Sequence, residues 1–243
     1  MAGDDHRQEP EADSRVRDLM GFYTELFSEV SHDLRGPVGV ILGALGELQG
    51  EQMPPLDEEQ RMLVGLVRRS ATRLSHYATN LLELSRMDAG RFELHPQSQD
   101  FAAAVRGAIR YAEEVEHGHA VRVSVEAPSG GIEVHLDAER LHQLVANLVT
   151  RGLRSARRGV TVSVANGEGG VRMAVVDDGA TPPAEVRDRL FELPRRPVGE
   201  RGRRNIDLAV AGQLVRMQGG TIRAEEAEPS GLRIVVELPR RVG

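Results

Sequence analysis

The sequence predicts two domains: an α-helical hairpin that pairs with a second copy into a dimeric four-helix bundle, then an α+β sandwich with one helical layer. Three observations carry that expectation. Two long stretches near the N-terminus repeat apolar side chains at helical spacing, with a Gly- and Pro-rich loop between them. Beyond Asp88-Ala89-Gly90-Arg91 the texture changes to short alternating runs interleaved with helical ones. The longest apolar stretch, Val38 to Leu48, is broken by glycines and falls well short of the roughly 20 residues that a membrane span needs.

Residues 1–13 (MAGDDHRQEPEAD) are polar and acidic, without an apolar centre; they read as a disordered N-terminus rather than a signal peptide. From Ser14 the pattern changes. Tyr23, Leu26, Val30, Leu34, Val38, Ile41, Leu45 and Leu48 recur at spacings of three and four, the signature of one amphipathic helix. Gly50 to Pro55 ends it, because Gly and paired Pro stop helices and make turns. A second helix from about Asp57 to Met87 carries the stripe Leu63, Leu66, Ser70, Leu74, Tyr77, Leu81 and Leu84. Two long helices on a short loop form a hairpin, and one hairpin leaves an apolar seam uncovered. Pairing two hairpins covers it, which predicts a homodimer through a domain spanning 14–92.

The second domain, 93–243, is read as a helix at Phe101–Val115, a strand at Val121–Val125 and an amphipathic helix at Asp137–Arg154. Strands at Val160–Val164 and Val171–Val176 are joined by Asn166-Gly167-Glu168-Gly169-Gly170, a hairpin turn. An irregular Arg- and Pro-rich segment runs from Gly179 to about Asp207. Leu208–Met217 is helical, Gly219-Gly220 closes it, and Thr221–Ala224 pairs with Leu232–Leu238. Strands flanked by helices without βαβ regularity indicate an α+β sandwich.

Composition narrows the function classes. With 31 basic against 37 acidic side chains the net charge is −6, which argues against nucleic acid as a partner. Every Lys/Arg position is Arg, attributed to GC-rich, bacterial coding. The absence of Cys excludes disulfides, thiolate metal sites and cysteine nucleophiles. The expected location is cytoplasmic, with no membrane partner.

The chemistry concentrates in the run Phe27-Ser-Glu-Val-Ser-His-Asp-Leu-Arg-Gly-Pro-Val38. His32 falls between the stripe positions Val30 and Leu34, so its imidazole is expected off the apolar seam. A solvent-facing imidazole with one unprotonated nitrogen is a nucleophile toward phosphorus. Pro37 lies inside the helix and should bend it.

This run resembles the phosphoacceptor box of two-component histidine kinases, and Asn80 to Gly90 resembles the stretch that closes their dimerisation hairpin. The C-terminal half resembles the family's ATP-binding domain, of the GHKL (Bergerat) type. Asp137 to Asn147 matches the helix bearing the asparagine box, and Val176-Asp177-Asp178-Gly179 the first glycine box. Leu190-Phe191-Glu192 matches the lid's Phe motif; Leu208-Ala-Val and Gly219-Gly220 match the frame of the second glycine box. The resemblance implies that His32 accepts the phosphoryl group, that Asp33 fixes its tautomer and takes its proton, and that Asp177 recognises the adenine amino group.

Several positions depart from the family. Where its asparagine box has a second Asn that gives Mg²⁺ an oxygen, this chain has Arg151, and a guanidinium has donors only. Arg151 still offers direct neutralisation of phosphate, and Arg154 occupies the place of the family's cationic phosphate contact. Thr181 stands where the first glycine box has its second Gly. The second box, Gly-x-Gly-Leu in the family, reads Asn205-Ile206-Asp207-Leu208. Glycine there permits close approach of backbone N–H groups to phosphate, whereas Asp207 repels it. The nucleotide site, comprising Asn147, Arg151, Arg154, Asp177 and Gly179, therefore reads as degenerate. ATP and Mg²⁺ are cofactors only if that altered site still holds them, and no resident metal is assigned. Gly36 replaces the family's Thr or Asn four residues after the phosphoacceptor, which argues against phosphatase activity. Arg195, Arg196, Arg201, Arg203 and Arg204 are read as a solvated lid loop, with an anion-binding patch as the alternative, and His117-Gly118-His119 as a polar turn.

Three functions stay open. In the first, the chain is a phosphorelay histidine phosphotransferase exchanging phosphoryl groups with response-regulator aspartates, like freestanding relay proteins with a degenerate ATP domain. The second is a soluble ATP-dependent histidine autokinase with a modified site. The third is a non-catalytic pseudokinase scaffold. Expected partners are receiver domains of response regulators and a second copy of the chain, with a separate sensor or kinase protein as a further candidate.

Overall fold

Helix formation in the first part of the chain follows from its caps as much as from its apolar periodicity. The computed structural model describes residues 30, 33–50, 53–88, 92–116, 121–192 and 206–242. It divides into two units, Met1–Phe92 and Glu93–Gly243. In the first unit, helix α1 covers 33–48, with Val30 also helical. It tightens into turn bonds at its end, where the N–H of Gln49 donates to the Gly46 carbonyl at 3.2 Å and that of Gly50 to Glu47 at 3.0 Å. Helix α2 runs over Glu58–Asp88, 31 residues. Asp57 and Gln60 start it with a reciprocal cap. The Gln60 N–H donates to Asp57 Oδ1 at 2.8 Å and the Asp57 N–H to Gln60 Oε1 at 3.0 Å, which satisfies two orphan donors at the helix start. The two helices are tied where Arg68 donates to the Leu45 carbonyl at 3.3 Å and to the Gln49 side chain.

Burial divides the hairpin's apolar side chains into two sets. Val38, Leu45, Ala71, Ala78 and Leu82 are buried. Leu63 and Leu66, 56% and 55% exposed, lie with Leu74 and Tyr77 on an uncovered stripe. Most of the α2 stripe read from the sequence is thus the open seam of one hairpin, and the buried side mixes Ala71 and Ala78 with the larger Val38, Leu45 and Leu82.

In the second unit, α4 (Ala138–Ser155) is the central helix. It packs against α3 (Phe101–Val115), against α6 (Ile206–Met217) and against strands β4 (Gly159–Gly167) and β5 (Gly170–Asp177). Its face is almost continuously apolar, with Leu141, Leu144, Val145, Leu148, Val149 and Leu153 buried. Asp137 caps it: Oδ1 accepts the Arg140 N–H at 3.1 Å while Oδ2 accepts that of His95 at 2.7 Å. One carboxylate therefore both starts the helix and pins the chain that enters the unit.

Five strands form a mixed sheet in the order β2-β4-β5-β7-β6, with β2 at Arg122–Glu126, β6 at Thr221–Glu226 and β7 at Leu232–Pro239. Among the described residues of this sheet, β2 and β4 pair in parallel and the other pairings are antiparallel. The β4–β5 hairpin turns at Glu168-Gly169, where Gly169 takes a φ of 75° that glycine tolerates best. Gly219, at φ 74°, closes α6, and the Gly220 N–H reaches back to the Val215 carbonyl at 2.9 Å.

The sequence reading missed some short elements. Strands β1 (Pro96–Asp100) and β3 (Glu133–Asp137) pair antiparallel as a separate ribbon. The segment read as irregular contains a short helix, α5 (Ala184–Arg187). β1 is polar and begins with Pro, so its pairing with β3, rather than its own pattern, makes it a strand. Among the described residues, no helix is long and apolar enough to cross a membrane.

Close packing of β5 on β7 gives a direct check of the sheet. A Cβ on Gly170 would lie 2.0 Å from the Leu238 carbonyl oxygen. Gly170→Ala should lower stability by about 2–3 kcal/mol, read as a lowered urea midpoint of the full chain; an unchanged midpoint would contradict this register.

Candidate functional site

Helical geometry groups three of the candidate residues. Asn147, Arg151 and Arg154 lie on α4 at i, i+4 and i+7, and so share one stripe of the helix. Asp177 is the last residue of β5, Gly179 follows it in the turn, and Asp207 sits in the first turn of α6. Asp33 lies on the exposed surface of α1. His32, the arginines at 195–204 and the pair His117 and His119 lie outside the described residues.

The Asp177 carboxylate is 3% exposed, and both of its oxygens are engaged. Oδ1 accepts the Gly179 N–H at 3.0 Å, and Oδ2 is paired with the guanidinium of Arg151, whose side chain is 11% exposed. Burial pushes this carboxyl above the ordinary carboxylate range; the Arg151 charge and the two donated hydrogen bonds pull it back, and desolvation is the larger effect. The turn leaves no room for a side chain, since a Cβ on Gly179 would meet the Ser155 carbonyl oxygen at 2.3 Å and Asp177 Oδ1 at 2.7 Å.

Arg154 bridges two more acids. Its guanidinium reaches Glu116 Oε1 at 2.7 Å and Asp207 Oδ2 at 3.1 Å, and both carboxylates are buried. The sequence placed Arg154 against phosphate and read Asp207 as a bare repulsive charge; here each is the other's partner. Glu116 escaped the sequence analysis altogether. The signal was present: Glu113, Glu114 and Glu116 crowd the C-terminal end of α3, where the helix dipole disfavours acids unless something pairs them.

Asn147 is fully buried, and neither its amide nitrogen nor its oxygen has a hydrogen-bond partner among the described residues. Leaving such a group unsatisfied costs about 1–3 kcal/mol. Asp178 works differently from its neighbour. Its carboxylate gathers the backbone N–H groups of Arg157, Arg158 and Gly159, which hold it below the usual range and fix the loop from α4 to β4. Thr181, read from the sequence only as a missing glycine, accepts the Gly231 N–H at 2.9 Å. A cleft of about 320 Å³ is lined by Asp177 together with Arg157, Arg158, Asp178, Glu228 and Ser230 among others, but not by Asn147, Arg151 or Arg154.

Comparison with known proteins places these residues in context. A His Kinase A (phospho-acceptor) domain model matches residues 23–90, and a histidine kinase-, DNA gyrase B- and HSP90-like ATPase model matches residues 136–242. The histidine protein kinase DivJ of Caulobacter vibrioides is 27% identical over 217 residues, covering 87% of this chain and 36% of DivJ. The sensor protein DivL of the same organism is 30% identical over 232 residues, covering 94% of this chain and 29% of DivL. The chain thus spans about a third of the length of these curated relatives. Among solved structures, full-length ShkA in complex with AMPPNP matches with a TM-score of 0.66 at 24% identity, covering 90% of this chain and 46% of that one; this likeness bears on the fold. A phospho-acceptor domain on the helical hairpin, followed by an ATPase-type domain on the mixed sheet, identifies the chain as a member of the histidine kinase family.

Proposed function

We propose that this chain is a phosphotransfer protein of two-component signalling, in which His32 takes a phosphoryl group from a response-regulator aspartate and passes it to another. In the forward step a ring nitrogen of His32 forms a P–N bond as the P–O bond of the aspartyl phosphate breaks. The aspartate carboxylate leaves with the electron pair. Asp33, one residue on, holds the proton of the other ring nitrogen and fixes the tautomer. Phosphohistidine and aspartyl phosphate are both energy-rich, so the exchange runs in either direction without ATP. Its catalysis is mostly in-line positioning.

The observation that carries this reading is a charged cluster in the second unit. Among the described residues, three buried carboxylates, Glu116, Asp177 and Asp207, face two guanidiniums, Arg151 and Arg154. A triphosphate entering there adds negative charge and must break the Arg154 pairs. Magnesium needs oxygen ligands, and Arg151 brings none to the place where the family's second Asn supplies one. These side chains do not fit magnesium-ATP as they stand, so no step is routed through it.

One observation favours an ATP-dependent autokinase as the second reading. Asn147 keeps a buried, unpartnered amide, and Gly179 keeps the close backbone approach of the family's first glycine box.

The exposed stripe of Leu63, Leu66, Leu74 and Tyr77 supports a homodimer through the hairpin, since monomers rarely leave so continuous an apolar seam in water. Val40 and Ile41, exposed on α1, suit a receiver domain as partner.

Two outcomes test these readings. Full-length protein incubated with a phosphorylated response regulator should acquire acid-labile label that vanishes in His32→Ala, while labelled ATP with magnesium should give none; label from ATP would establish the autokinase. The double substitution L66E/L74E should convert a dimer to a monomer in size-exclusion chromatography with helicity preserved, and an unaltered elution position would contradict the bundle.

A further inference from the structure

The Asp177 carboxylate is held in place with both of its oxygens already engaged. Its position is boxed on the backbone side, because a Cβ on Gly231 would lie 1.8 Å from the Asp177 carbonyl oxygen and one on Gly179 only 2.3 Å from Ser155 O. Asp177 is also held in register opposite Leu232 on β7. One carboxylate oxygen belongs to the Gly179 N–H and the other to Arg151. We infer that Arg151 is the built-in occupant of this acceptor and the residue that sets the pocket against adenine. This rests on the reading above that Asp177 stands where the family recognises the adenine amino group.

The competition between the two donors is unequal. Arg151 is always charged, and a charge-assisted bond to a carboxylate is about twice as strong as a neutral one. The exocyclic amine of adenine is neutral. Arg151 is also part of the same molecule, fixed on α4 within reach of Asp177, so it competes at a high effective concentration and loses no freedom of translation. A free purine competes with that contact, and displacing it leaves the guanidinium, only 11% exposed, without its carboxylate. Arg154 does not enter this contest, because its partners are Glu116 and Asp207. The block therefore acts on the base, independently of the phosphates.

That separation selects the probe: adenosine, which carries no phosphate, titrated into the full chain by calorimetry, with inosine, which lacks the amine, as the control. The unaltered protein should give no saturable heat. Arg151→Asn, which frees Asp177, should give saturable adenosine binding at least about tenfold tighter than the weakest affinity the titration detects, with no such gain for inosine. Arg151→Lys keeps a charged donor and should stay blind to adenosine. A folded Arg151→Asn with unchanged adenosine affinity overturns the inference, as does an equal gain for inosine or in Arg151→Lys. If Arg151→Asn does not fold, saturable adenosine binding by the unaltered protein still overturns it, and its absence, with no gain in Arg151→Lys, supports it. The two readings fail separately. Label from ATP sinks the relay whatever adenosine does, and an Arg151→Asn that gains nothing sinks the occupant while regulator-dependent labelling stands.

Discussion

A carboxylate removed from water has to find compensation. In the second unit, Glu116, Asp177 and Asp207 find it on two arginines of a single helix. The constraint is severe because the penalty for an uncompensated buried charge, about 3–5 kcal/mol, is a large share of a domain's stability. Arg151 joins α4 to the end of β5, and Arg154 joins it to the end of α3 and the start of α6. These elements are thus held together by the cluster's own charges. An approaching anion meets groups that already have partners.

This arrangement divides the chemistry between the two units. The hairpin carries the phosphoacceptor run, within the stretch matched by a phospho-acceptor domain over residues 23–90. The second unit keeps the family's framework around a different polar interior. Its glycines remain where backbone approaches backbone, at Gly170, Gly179 and Gly231.

Legibility in the sequence followed the range of the interaction. The α2 helix was readable because its apolar residues recur within a turn or two; the Asp57 and Gln60 cap, equally local, emerged only in the structure. The β4–β5 hairpin was readable from Gly-rich turn chemistry between alternating valines. Strand β1 was not, since Pro96-Gln-Ser-Gln-Asp100 is polar and becomes a strand only by pairing with β3. The candidate site divided in the same way. Asn147, Arg151 and Arg154 could be aligned along one helix, and Asp177 and Gly179 by their motif. The ion pairs that decide their chemistry span 26, 38 and 53 residues, and no local pattern predicts them. Only the accumulation of acids at the end of α3 pointed to Glu116.

The most direct test of this picture is a crystal structure of the full chain grown with magnesium and a non-hydrolysable ATP analogue at saturating concentration. Internal compensation predicts Arg151 still on Asp177, Arg154 still between Glu116 and Asp207, and no ordered magnesium in the pocket. A magnesium ion ligated beside Asn147, with Arg151 turned away and the adenine amine on Asp177, would contradict it.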